Sequence, residues 1–260
     1  INKMIYFIIL ILAIFLLIYF SSAKTGGRRV KSPQGSYKKL LSEEVVFYQN
    51  LNNTEKINFE KRVTDFLEET HIEGIGTEIT ELDRVLIASS AIIPVFGFAG
   101  WKYKNLSNVI MYPNTFDKEF QFEGNNNRSI MGMVGSGYMN GQMLLSRAAL
   151  YHGFSKSSGN ENVAIHEFVH LLDKSDGNTD GIPENLQGHQ YAIPWLRMMQ
   201  QEMNKIEKGK SDINPYALTN EAEFLAVVSE YFFSRPEKFK DNHPELYEQL
   251  SLIFDINLIE

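Results

Sequence analysis

The stretch from Asn162 to His170 reads Asn-Val-Ala-Ile-His-Glu-Phe-Val-His. It places two histidines four positions apart, with a glutamate directly after the first, inside an apolar run. Positions i and i+4 of a helix lie one above the other, about 5–6 Å apart at Cβ. A helix here therefore brings His166 and His170 to one point. Zn²⁺ accepts imidazole and carboxylate ligands, and a catalytic zinc keeps one position open for water. Glu167 is the residue type that takes a proton from that water. A partly buried helix with two surface-seeking histidines is the plain alternative. Two histidines at this spacing, with Glu between them, favour the metal.

Such a helix must sit inside a folded domain. Ile165, Phe168, Val169 and Leu172 make the run from about Glu161 to Leu172 apolar around most of its circumference, which predicts a buried central helix. A chain of 260 residues is long enough to surround it. No cysteine is present, so a transition metal must be held by His, Asp and Glu. The formal net charge of -7 argues against a nucleic-acid binder, which needs a basic stripe to neutralise phosphates.

The N-terminus has a different character. Met4 to Phe20 is apolar or aromatic throughout, with Tyr6 and Tyr19 near its ends. As a helix it spans roughly 26 Å, slightly short of a bilayer core of about 30 Å. It is expected to be one transmembrane helix over residues 4–20. Lys24, Arg28, Arg29 and Lys31 follow it, against Lys3 alone before it. The positive-inside rule then puts the downstream domain in the cytoplasm. Ser21-Ser22-Ala23 also resembles a signal-peptide cleavage site, so export after cleavage is the competing expectation. Residues 21–44 read as a polar Gly- and Lys-rich linker, and residues 45–260 as the metal-binding domain.

Within that domain a helix is expected from Thr54 as its N-cap, with Ile57, Val63, Phe66 and Leu67 inward, and another over Glu78–Ile93, stopped or bent by Pro94. Asn108–Tyr112 and Gln142–Ser146 read as strands, and the glycines of 132–141 as turns around the second. That strand could offer its edge to an extended peptide or belong to an ordinary hairpin. Helices are expected over Trp195–Lys208 and after Asn220, where Asn220-Glu221-Ala222-Glu223 resembles a capping box. The loop Asp176–Gly181 fits the start of a calcium-binding loop. Its twelfth position is Gln187 rather than Glu, so Asx turns explain it better. His71, His152, His189 and His243 read as surface or core histidines.

Spacing does not choose the third metal ligand among the many carboxylates. Val163–Asp173 (VAIHEFVHLLD), Asp180–Pro183 (DGIP) and Tyr216–Phe233 (YALTNEAEFLAVVSEYFF) closely resemble the Mlc titration factor A family of zinc peptidases. Leu51–Leu67 and Val109–Phe116 extend the likeness more weakly. The resemblance implies an α+β, zincin-like fold with a small sheet and a gluzincin site. It implies Glu223 as third ligand, with Glu221 the local alternative, and Tyr216 as a residue lining the site. Val227 occupies the place of the Asp found four residues after the ligand Glu in thermolysin-type enzymes. Asp173 and Glu230 are the candidates to orient the histidines.

The reading is a zinc-dependent metallopeptidase, aminopeptidase-like by resemblance, with Glu167 as general base and Tyr216 as oxyanion donor. Its partner is a peptide or protein substrate. The alternative is a regulatory protein that sequesters a transcriptional repressor, as the family name implies.

Overall fold

The computed structural model describes residues 34–116, 130–135, 140–183 and 192–259. The apolar run Met4–Phe20 lies outside them. Among the described residues, no helix is long and apolar enough to cross a membrane.

The folded unit begins earlier than residue 45. Residues 34–44, expected as part of the tether, form helix α1 (Gln34–Glu44). Tyr37, Leu40 and Leu41 fall at i, i+3 and i+4 and make one apolar stripe; Leu41 is fully buried, and the other two pack on the core. Helix α2 (Val46–Asn50) follows, then α3 (Asn53–Glu69). The N-cap of α3 is Asn52, not Thr54. Its Oδ1 accepts the Thr54 and Glu55 N–H groups, while Glu55 reaches back to the Asn52 N–H. That reciprocal pair satisfies more orphan donors than a threonine two residues later would. Val63 and Phe66 are buried and Leu67 packs on the core, as expected, but Phe59 is the fourth inward residue and Ile57 is 67% exposed.

Four strands form a mixed sheet in the order β1 (His71–Gly74), β2 (Asn108–Tyr112), β4 (Gln142–Ser146), β3 (Gly132–Val134). β1, β2 and β4 run parallel, with His71 opposite Asn108 and Asn108 opposite Gln142. β3 is antiparallel to β4, with Gly132 opposite Leu145. One expectation changes here, and of the two alternatives for Gln142–Ser146 the antiparallel pairing with β3 favours the hairpin over the free edge. The glycine-rich stretch is partly strand, and Gln142–Ser146 is an interior strand with both edges already paired. The sheet edge beside it belongs to β3.

Helix α4 (Glu81–Ile92) connects β1 to β2 and is capped by Thr80 and Asp83. Pro94 lies within a 3-10 turn over Ile93–Val95 that continues it. Helix α5 (Arg147–Phe154) leaves β4, and the Arg147 guanidinium forks onto the buried Asp83 carboxylate at 2.7 and 2.9 Å.

Helix α6 (Val163–Asp173) is the centre of the molecule. Ala164, Ile165, Phe168, Val169 and Leu172 are all buried, and Phe168 meets Phe66 and Tyr103 with ring centroids 5.8 and 5.2 Å apart. Helix α8 (Glu221–Ser234) packs along α6, with α7 (Ala192–Glu207), α9 (Pro236–Asn242) and α10 (Pro244–Ile253) around it. Full burial of one such aromatic stabilises by about 1.5–3 kcal/mol. Sums of that size let α6 and α8 carry ionised groups into the interior, where each unpaired charge costs several kcal/mol.

A candidate metal centre between two buried helices

Helix α6 is fixed at both ends by side-chain hydrogen bonds, and Glu230 at its start also meets the site. At its start, Asn162 Oδ1 accepts the Ile165 N–H at 3.1 Å, and the Asn162 N–H donates to Glu230 Oε2 at 2.6 Å. At its end, the buried Asp173 carboxylate accepts the Gly181 N–H at 2.9 Å. Gly181 has φ +75°, and a Cβ there would stand 2.4 Å from the Glu221 carbonyl oxygen. Its own carbonyl accepts the Trp195 indole N–H at 2.8 Å. The Asp-Gly-Ile-Pro motif thus pins the end of α6 to the start of α8, and only glycine fits at its centre. Asp180 Oδ1 accepts the Ile182 N–H at 3.1 Å, the Asx turn expected there.

Helix α8 starts at Asn220, whose Oδ1 accepts the Glu223 N–H at 2.9 Å. The reciprocal half of a capping box is not made. The Glu223 carboxylate turns to α6 instead, with Oε2 at 2.9 Å from His166 Nε2 and 3.4 Å from His170 Nε2. The two imidazole Nε2 atoms are 3.0 Å apart. A tetrahedral ion with bonds of about 2.0–2.2 Å holds its ligand atoms roughly 3.3–3.5 Å from each other. The observed triangle is slightly tighter, and small outward shifts would admit the ion. His166, His170 and Glu223 therefore fit a divalent metal. Among the described residues they form the cluster with that geometry, and the exposed Glu221 is not in it.

This chain matches, over residues 24–255, the family described as glucose-regulated metallo-peptidase M90. It belongs to that family. An uncharacterized protein of Synechocystis, slr2042, is 26% identical over 81% of this chain and 80% of its own length. Mlc titration factor A of Klebsiella pneumoniae is 26% identical over 77% and 78%. Its namesake in Cronobacter sakazakii is 29% identical over 67% and 68%.

In this M90 chain the groups around the metal triangle differ in charge preference. Burial opposes a charge on His166, but hydrogen bonds to Glu223 and Glu230 outweigh it and push its pKa up to about 10. Burial would raise Glu223, yet the hydrogen bonds from His166 and His170 hold it down at about 2. Two carboxylates and two imidazoles around one point thus favour positive charge there, a proton or a cation. Glu230 Oε1 accepts from His166 Nδ1 at 2.7 Å, so Nε2 is the nitrogen left for a metal.

Glu167 is buried beside the triangle. Its pKa is raised, chiefly by burial, with Glu223 and Glu230 adding to the shift against His166 and His170. A carboxylate moved toward neutrality is better matched to proton transfer near pH 7. Tyr216 lies in a 3-10 turn over Pro215–Leu218, 53% exposed, with its ring 6.1 Å from the His166 ring. Burial of its inner part, then Glu223, Glu167 and Glu230, raise the phenol and keep its proton in place. Asn214 fixes that turn: Oδ1 accepts the Tyr216 N–H at 3.0 Å, and Nδ2 donates to Glu161 Oε1 at 3.1 Å.

Of the other histidines, His71 and His152 are exposed, and His189 lies outside the described residues. His243 is buried between Glu202 and Asp212, at 3.2 and 2.7 Å. Sequence reading missed Asn162 as the helix cap, although Asn three residues before Ile165 is a favoured capping pattern. It also missed Gly132, treated as a turn. A glycine directly before Met133-Val134 in an apolar stretch is the signal that marks a close backbone approach.

Proposed function

We propose that this protein is a zinc-dependent metallopeptidase of gluzincin type, on a zincin-like fold. The observation that carries the reading is the convergence of His166 Nε2, His170 Nε2 and Glu223 Oε2, with Glu167 buried beside them. Zinc held by these three residues would supply Lewis acidity and an activated water at neutral pH. Glu167 takes the proton of the attacking water and delivers it to the leaving amine. Tyr216 donates from its phenol to the oxyanion of the tetrahedral intermediate. Glu230 holds His166 in the tautomer and orientation that present Nε2. Aminopeptidase-like action on small peptides belongs to the same reading and is tested by comparing free with N-blocked peptides.

Metal analysis of the purified chain, paired with a peptidase assay on wild type and Glu167→Gln, tests the function. Stoichiometric zinc in both proteins, with hydrolysis lost in the variant by about 10²–10⁴-fold, is expected. Absence of zinc from the native protein, or full activity in Glu167→Gln, would overturn it.

A second reading rests on the relatives named Mlc titration factor A. In it the chain binds a transcriptional repressor, and the protein surface rather than the metal triangle does the work. Binding of a repressor that survives Glu167→Gln would support it alongside catalysis.

We also propose that Met4–Phe20 anchors the chain, with the domain on the cytoplasmic side. The basic residues after the run support this orientation. Exchanging Lys24, Arg28, Arg29 and Lys31 for neutral residues should then weaken the orientation in protease-accessibility assays on intact cells. Accessibility of the wild-type domain from outside would instead favour export.

A further inference from the structure

We propose that Gly132 is a positioning residue for Glu167, setting where the general base stands by having no side chain. This inference rests on the reading of Glu167 as the base. Gly132 opens β3, the strand at the edge of the sheet, and that strand lies against α6. Its alternation is clear: Met133 packs on the small cluster of Tyr112, Phe116 and Leu144, whereas Val134 packs on the main core. Residues 132 and 134 therefore share the face turned toward the main core and α6.

A Cβ on Gly132 would stand 2.8 Å from Glu167 Oε1, 2.8 Å from Glu167 Cγ and 2.8 Å from Val163 Cγ1. Carbon atoms do not approach so closely in folded proteins, so something must give. The obstructing residues are one helical turn apart on α6, and both face the strand. The backbone of Gly132 is not in the left-handed region, so alanine is allowed there conformationally. Glycine is required for space alone. An edge strand carrying any side chain at 132 would stand farther from α6 or push the Glu167 carboxylate away. Oε1 is the far end of a flexible side chain, whereas Val163 is branched and stiff, so the Glu167 carboxylate is the group that gives way.

The variant is Gly132→Ala, compared with wild type in zinc-loaded form. Zinc affinity, measured by competition with a chelating dye, should stay within about two-fold, because His166, His170 and Glu223 keep their positions. A misplacement of about 1 Å at a reacting group costs on the order of 10²-fold. A fall of that size in kcat, with KM little changed, is expected. In the Glu167→Gln background the same substitution should add almost nothing, since the group it displaces no longer acts as a base. A full additional 10²-fold loss in that background would overturn the proposal.

A crystal structure of Gly132→Ala separates this inference from the assignment of activity. Displacement of the Glu167 carboxylate supports it, and a carboxylate superimposing on wild type overturns it, whether or not any peptide is cleaved. If Gly132→Ala fails to fold, Gly132→Ala combined with Val163→Ala relieves one contact and leaves the one with Glu167. The same readouts then apply.

Discussion

Glu230 uses both carboxylate oxygens on helix α6: Oε1 accepts from His166 Nδ1 at 2.7 Å and Oε2 from the Asn162 N–H at 2.6 Å. One side chain thus fixes the start of the helix and the ring it carries. Partners of this kind typically contribute 10–100-fold to metal affinity. Glu230→Gln should therefore weaken zinc binding by about 10-fold or more. Zinc affinity of the variant equal to wild type, by competition titration, would remove Glu230 from this role.

The third ligand is tested by a pair of neighbours. Glu223→Ala leaves two imidazoles, short of the usual three protein ligands, and should lose tight zinc binding. Glu221→Ala, at an exposed position in the same first turn, should keep it. The opposite pattern in metal analysis would mean that the wrong face of α8 had been assigned.

Tyr216→Phe should lower kcat by about 10²-fold, the effect of removing one oxyanion donor, and leave zinc content unchanged. Because the side chain is half-exposed, the melting temperature should barely move. A variant with wild-type kcat would make Tyr216 a wall residue only.

The His243 cluster should control stability rather than catalysis. Burial opposes a charge on His243, but Glu202 and Asp212 outweigh it and raise its pKa. Burial likewise opposes ionisation of Glu202, yet hydrogen bonds from His243, Lys205 and Ser211 hold it at about 2. Asp212 is depressed in the same way, by His243, Tyr231, Lys238 and Asn242 against burial. A raised histidine stabilises fully below about pH 6.5 and loses this as pH rises through its folded value. Depressed carboxylates stabilise above about pH 4.5 and lose this as pH falls toward 2. The cluster is thus fully stabilising between roughly pH 5 and 6.5. His243→Ala should cost about 2 kcal/mol there, since the buried Glu202 loses one charged partner but keeps Lys205 and Ser211, while Asp212 is partly solvated. Denaturant titrations of both proteins across pH should show the gap narrowing at either side. A gap independent of pH would indicate lost packing instead.

The sequence by itself determined the chemistry carried by local spacing. His166 and His170 share a helix face whatever surrounds them, and the glutamate between them follows from the same periodicity. The strands Asn108–Tyr112 and Gln142–Ser146 were legible to the residue, because Pro113-Asn114 closes the first short apolar run and Asn140-Gly141 opens the second. Helix α1 was obscured by its lysines, although Tyr37, Leu40 and Leu41 carried the stripe. Tertiary structure alone decided what lies far apart in the chain. Glu223 meets His166 across 57 residues and Glu230 meets it across 64, through the packing of α8 on α6. The same packing freed Glu223 from a complete capping box, a choice that local pattern cannot make. Gly132 read as a turn because its reason is absent from its neighbourhood in sequence: the space it leaves is filled by Glu167 and Val163, brought there by the docking of a sheet edge on a helix.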